Sequence, residues 1–205
     1  MLEVKNLGCV RGERRLFSNV NFSLSPGNWL QLMGPNGSGK TSLLRIVCGL
    51  LAPAEGEVRW QGANIRTLGE EYFTALTYVG HRNPVKEELS SLENLRISCG
   101  LSGYEITRAE AAAALGKMGL KGRENLPARL LSEGQRRRSA LARLLTCSGT
   151  VWALDEVLTS LDKTAVTLMR SLIEEHLSRG GMAIVATHQE LNLAVSSFQR
   201  LELAS

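Results

Sequence analysis

Long apolar runs are missing from this chain: no uncharged stretch approaches the roughly 18 residues that a helix needs to cross a bilayer. Work at a membrane would therefore have to be shared with a partner. The opening segment MLEVKNLGCVRGERRLF carries charge throughout and has no extended apolar centre, so it does not read as a secretory signal. Cysteine is sparse and dispersed. Cys9, Cys48, Cys99 and Cys147 form no C-x-x-C pair, and the three histidines form no tract. That pattern excludes a disulfide scaffold and speaks against a zinc site. It fits small buried hydrophobes in a reducing compartment. Aromatic residues are few and scattered, which leaves the basic run Arg136-Arg137-Arg138 without interleaved rings. A solvated or subunit-facing helix surface is the better reading of that run, and no nucleic-acid partner is expected.

What is present suits one domain with one or two lobes, since 205 residues can bury a core without metal or disulfide staples. The net charge of +4 reads as a surface average. Alternation predicts strands over Leu2 to Leu7, Val20 to Leu24 and Trp29 to Met33. A helix is predicted over Thr41 to Gly49, then short strands over Glu57 to Trp60 and Leu76 to Val79. From about Pro84 to Ser148 the periodicity turns helical, with capping boxes at Thr107/Glu110 and Ser132/Gln135. Strand–helix alternation then returns: a strand over Thr150 to Leu154, a helix capped by Asp162 and running to Leu177, and a strand over Met182 to Thr187. This order implies an α/β core with a helical lobe inserted in the middle.

Two motifs carry chemistry. Gly34-Pro35-Asn36-Gly37-Ser38-Gly39-Lys40-Thr41 matches G-x-x-x-x-G-K-[ST] between a predicted strand and a predicted helix. Its glycines let backbone N–H groups turn inward around phosphates, and the helix start adds its positive end. Lys40 would reach the β- and γ-phosphates of ATP, and the Thr41 hydroxyl would bind Mg²⁺. The second motif, Val151-Trp152-Ala153-Leu154-Asp155-Glu156, is an apolar strand delivering two carboxylates at its C-terminal end. Asp155 suits Mg²⁺, and Glu156 suits a general base for the attacking water.

Leu131-Ser132-Glu133-Gly134-Gln135 resembles the L-S-G-G-Q signature of the ABC (ATP-binding cassette) family, with Glu133 in place of a small residue. Ser160-Leu161-Asp162 resembles the family's D-loop, and Thr187-His188 its switch histidine. His81 follows Gly80 where the family usually has the Q-loop glutamine, Arg11 stands where an aromatic would underlie adenine, and Val157 stands where Pro is usual. The resemblance covers nearly the whole chain. It implies a P-loop NTPase core with an N-terminal antiparallel β-subdomain (residues 1–83 and 149–205) and an inserted helical subdomain (84–148), all in one ATP-binding domain. It also implies that Ser132, Gly134, Gln135 and Asp162 join the ATP site, that Glu156 and His188 are catalytic, and that His81 lies near Mg²⁺.

Leu16-Phe17, Trp60-Gln61-Gly62, Gly80-His81, Gln135-Arg136-Arg137-Arg138 and Ala186-Thr187-His188-Gln189 narrow the likeness. They resemble the haem exporter ATP-binding subunits of cytochrome c maturation. That implies an ATPase peripheral to the cytoplasmic face of the bacterial inner membrane, paired with a multi-span subunit and forming an ATP-dependent homodimer. Its ATP hydrolysis would energise haem export or haem delivery. Another transported substrate and a soluble ABC ATPase are the alternatives. The chain has one cassette and no sustained heptads, which speaks against translation and repair types. The presence of both Glu156 and His188 speaks against a module that does not hydrolyse.

Overall fold

A computed structural model describes residues 1–81, 85–147, 149–188, 191–194 and 197–204. The chain forms two compact units: residues 1–80, 149–156 and 173–205, and residues 81–148 with 157–172.

The first unit holds both sheets. β1 (Leu2–Arg11) and β2 (Arg14–Leu24) pair antiparallel, β4 (Glu55–Trp60) pairs with the other edge of β1, and β5 (Ala63–Asn64) extends β4. In β1, Leu2 and Val4 point inward while Lys5 and Val10 stay exposed, the pattern of a sheet with one wet face. The second sheet is parallel throughout, in the order β6-β7-β8-β3-β9. Its strands are β3 (Trp29–Met33), β6 (Leu76–Val79), β7 (Val151–Asp155), β8 (Met182–Ala186) and β9 (Phe198–Glu202). Every residue of β7 and β8 is buried, which explains why both read as continuous apolar runs and not as alternation. α1 (Lys40–Val47) packs Leu43, Leu44, Ile46 and Val47 into the core that also takes Leu30, Leu32, Ala153 and Ile184. Short helices α2 (Ile65–Leu68) and α3 (Glu70–Thr74) lead into β6, and the Tyr72 hydroxyl donates to the Val47 carbonyl at 2.8 Å.

The second unit is helical. α4 (Ser91–Gly100), α5 (Arg108–Lys117) and α6 (Glu133–Leu141) each start in a complete capping box, at Ser90/Glu93, Thr107/Glu110 and Ser132/Gln135. Each box satisfies two N–H groups that a helix start leaves without intrahelical partners. A 3₁₀ turn over Ala142–Leu145 follows α6. α7 (Lys163–Ser178) starts after Asp162, whose Oδ1 accepts from Ala165 N at 2.8 Å. The expected boundary residues 83, 84 and 148, and Gln189 beside the switch histidine, lie outside the described residues.

Candidate nucleotide site

The parallel order places the C-terminal ends of β3, β7 and β8 side by side, where an open α/β sheet presents its ligand crevice. At the end of β3 the chain turns through Gly34 at φ 140° and Gly39 at φ 103°. A Cβ on Gly34 would lie 2.6 Å from the Leu203 carbonyl oxygen and 2.7 Å from Ser38 Oγ. One on Gly39 would lie 2.9 Å from the Phe17 ring. The loop therefore needs glycine for space as well as for dihedral freedom. Ser38 is buried, and its Oγ has no hydrogen-bond partner among the described residues. An orphaned buried hydroxyl inside a glycine turn fits a loop built to meet an outside acceptor.

Lys40, the first residue of α1, is 6% exposed, and its ammonium donates to the Gly34 carbonyl at 2.7 Å and the Pro35 carbonyl at 3.1 Å. His188, just past β8, brings Nε2 to 3.1 Å from Asn36 Oδ1, 3.2 Å from Glu156 Oε1 and 3.5 Å from Lys40 Nζ. Two of those neighbours are acceptors and the third only donates. The arrangement is satisfied when Nε2 carries the proton and donates to the oxygens, leaving Lys40 as a charged neighbour.

Glu156 follows β7 at φ 50°, left-handed backbone that a non-glycine residue adopts at a cost of about 1–3 kcal/mol. Its backbone N–H still donates to the Ala186 carbonyl at 2.9 Å, which fixes the strained residue against the end of β8. Asp155 ends β7 at 1% exposure. Neighbouring groups register its charge: burial first, then Asp155, pushes the Cys48 thiol and the Tyr78 phenol up from their ordinary ranges.

Comparison with known proteins decides the family. The ABC transporter family model matches residues 17–159, well over half the chain. The chain belongs to the ABC transporter family. A protein of Nitrosospira multiformis named cytochrome c biogenesis ATP-binding export protein CcmA is 56% identical over 202 residues, covering 98% of each chain. A protein of the same name from Pseudomonas aeruginosa is 44% identical, covering 98% of this chain and 99% of its own. A solved dimeric bacterial ABC transporter cassette is 25% identical at a TM-score of 0.84, covering 98% of this chain and 94% of its own. An ATP-binding cassette solved as a dimer in a post-hydrolysis state, bound to ADP and Pi, is 26% identical at a TM-score of 0.78, covering 92% of this chain and 88% of its own. The fold is thus the ABC ATPase fold that the motif order implied.

Apart from Arg11, the remaining ABC positions lie in the helical unit. Ser132 caps α6, its Oγ accepting from Gln135 N at 3.3 Å, while Gln135 Oε1 accepts from Ser132 N at 3.0 Å. Glu133 Oε1 accepts from Ser160 Oγ at 3.2 Å, and a Cβ on Gly134 would lie 3.2 Å from the Ser160 carbonyl oxygen. Val157 is fully buried. His81 is exposed, and its carbonyl accepts from Arg137 Nη1 at 3.2 Å. Arg11 is exposed at the end of β1, in register with Arg14. The sequence reading did not identify the Phe17 wall behind Gly39 or the Arg137 bond to His81. Both join residues far apart in the chain, and no local pattern announces them.

Proposed function

We propose that this chain is the ATP-hydrolysing subunit of an ABC exporter for cytochrome c biogenesis, energising haem export or haem delivery. Its likeness to proteins named for that process, over essentially its full length, supports the pathway. The observation that carries the chemistry is the convergence of three segments on the His188 imidazole: Asn36 from the glycine loop, Lys40 from the start of α1 and Glu156 from just past β7.

In this reading Gly34 to Thr41 wrap the phosphates of ATP. Lys40 exchanges its bonds to the Gly34 and Pro35 carbonyls for bonds to phosphate oxygens, which are stronger because both partners are charged. Glu156 takes the proton of the attacking water. His188 donates to its carboxylate and keeps it turned toward the loop. The donor set fits Mg²⁺: the Thr41 hydroxyl and the Asp155 carboxylate are hard oxygen ligands, whereas the imidazole of His81 suits softer metals. Mg²⁺ would neutralise charge developing on the phosphate oxygens. Ser132, Gly134, Gln135 and Asp162 meet ATP held by a second copy in a head-to-tail dimer. The two solved structures of one related ABC cassette, both dimeric, support such pairing.

Among the described residues no helix is long and apolar enough to cross a membrane. The likeness to proteins named for export adds to the reading a multi-span partner subunit and a peripheral place on the cytoplasmic face of the inner membrane. The test is phosphate release from ATP by the purified chain with and without Mg²⁺. Wild type is expected to hydrolyse, and Glu156→Gln to lose at least about 100-fold in rate. Hydrolysis by Glu156→Gln at the wild-type rate would remove Glu156 as the base.

A further inference from the structure

Glu133 is unlike the acids at the starts of α4 and α5, the other two helices of its unit that begin in a capping box. At α4 and α5 the third helical residue is a glutamate consumed by its capping box: Glu93 Oε2 accepts from Ser90 N at 2.8 Å, and Glu110 Oε2 accepts from Thr107 N at 2.7 Å. At α6 the neutral Gln135 does that work. The acid sits instead at the first helical position, exposed, directly after Ser132. No Lys, Arg or His forms an ion pair with it among the described residues. Its carboxylate is held by the Ser160 hydroxyl, 27 residues away. Ser160 itself sits at φ 64°, and its carbonyl abuts Gly134, so the 132–134 turn and Ser160 are fitted together twice.

A carboxylate at the first turn of a helix cancels part of the positive end that would attract an anion. We propose that Glu133, held in place by Ser160, is an electrostatic gate on the Ser132 turn that raises the ATP concentration needed to close the dimer. This rests on the reading above that Ser132 meets the phosphates of ATP on a second copy. A carboxylate left free would spread its charge into solvent. One fixed by Ser160 keeps its charge at the turn, so the repulsion is preorganised.

The test measures half-saturating Mg-ATP for phosphate release at low and high salt. Binding of a fluorescent ATP analogue to dilute protein reports the phosphate loop separately. Glu133→Gln keeps an acceptor for Ser160 and removes the charge. It is expected to lower half-saturating ATP about threefold or more at roughly 0.05 M salt, with the gap closing by about 1 M, where charges are screened beyond a few ångströms. Analogue binding should not change. Ser160→Ala is expected to move part of the way in the same direction, and to add little in the Glu133→Gln background. Equal half-saturating ATP for Glu133→Gln and wild type at both salts overturns the gate. So does a lowered melting temperature as the sole effect, since that marks a helix-stabilising acid and nothing more. Ser132→Arg separates the two levels. If it hydrolyses like wild type, the dimer reading of Ser132 fails and the gate fails with it. If it is inactive while Glu133→Gln matches wild type, only the gate fails.

Discussion

Lys40 is a nearly buried cation whose charge is offset by two loop carbonyls. Those carbonyls are partial charges, and a phosphate offers full ones. Lys40→Ala is accordingly expected to weaken ATP binding at least about tenfold, the loss of one charge-assisted contact in a desolvated site. Titration calorimetry checks this, and unchanged affinity would sink the phosphate-loop assignment. Gly34 is the loop residue where backbone and space act together. Its φ of 140° and the 2.6 Å approach of the Leu203 carbonyl leave no room for a methyl group. Gly34→Ala should cost about 1–3 kcal/mol in denaturant unfolding, the scale of a strained backbone position, and should disrupt nucleotide binding as well. A variant as stable as wild type would mean that the turn can relax. The glycine turn and its lysine were legible in the sequence because the motif fixes residue types at fixed spacing. The strain at Glu156 and the orphaned Ser38 hydroxyl were not, since both depend on how strand ends meet.

Among the elements, β7 and α7 are joined by a stacked pair. The rings of Trp152 and His176 lie 3.9 Å apart and 7° from parallel. His176 Nε2 lies 3.2 Å from the Met182 carbonyl, and a Cβ on Gly181 would meet the His176 ring at 2.3 Å. Burial lowers the His176 pKa, against the smaller upward pull of hydrogen bonds to the Met182 and Thr150 backbone. A lowered folded-state value means that the unfolded chain binds the proton more readily. The contribution to stability is complete above the unfolded value of about 6.5 and is lost as pH falls through the folded one. His176→Phe keeps a ring against Trp152 and cannot titrate. Its melting temperature should fall less steeply than that of wild type between about pH 7 and 5. Parallel curves would show that this stack does not titrate in that range. The inner strands and both expected capping boxes were readable from local pattern, because buried apolar runs and S/T-x-x-E/Q spacing are local signals. β9 was not read as a strand. Its Phe-Gln-Arg-Leu-Glu sequence is a sheet edge alternating between exposed and half-buried, and only its pairing with β3 makes it a strand. The box at Ser90/Glu93 was readable in principle, but it sits in a stretch taken as helical without a marked start.

For the whole molecule, the Gly34–Thr41 loop and the Ser132 turn belong to different compact units of the chain. In the proposed reading each ATP is completed by the Ser132 turn of a second copy, so nucleotide is part of the interface and hydrolysis dissolves it. Slowing hydrolysis without weakening binding should therefore accumulate the dimer. Glu156→Gln does this: the amide nearly matches the carboxylate in shape and can still accept from His188, but it cannot take a proton from water. With Mg-ATP this variant is expected to elute as a dimer in size exclusion, and wild type as a monomer. Adding Lys40→Ala should return the variant to monomer, because the ATP that joins the copies is no longer held. Adding Ser132→Arg should do the same while leaving binding of a fluorescent ATP analogue intact, because it removes the second copy's contact and spares the loop. A dimer that persists without nucleotide, or that survives Ser132→Arg, would mean that the copies associate through some other surface. ATP would then be bound within one chain and not shared between two.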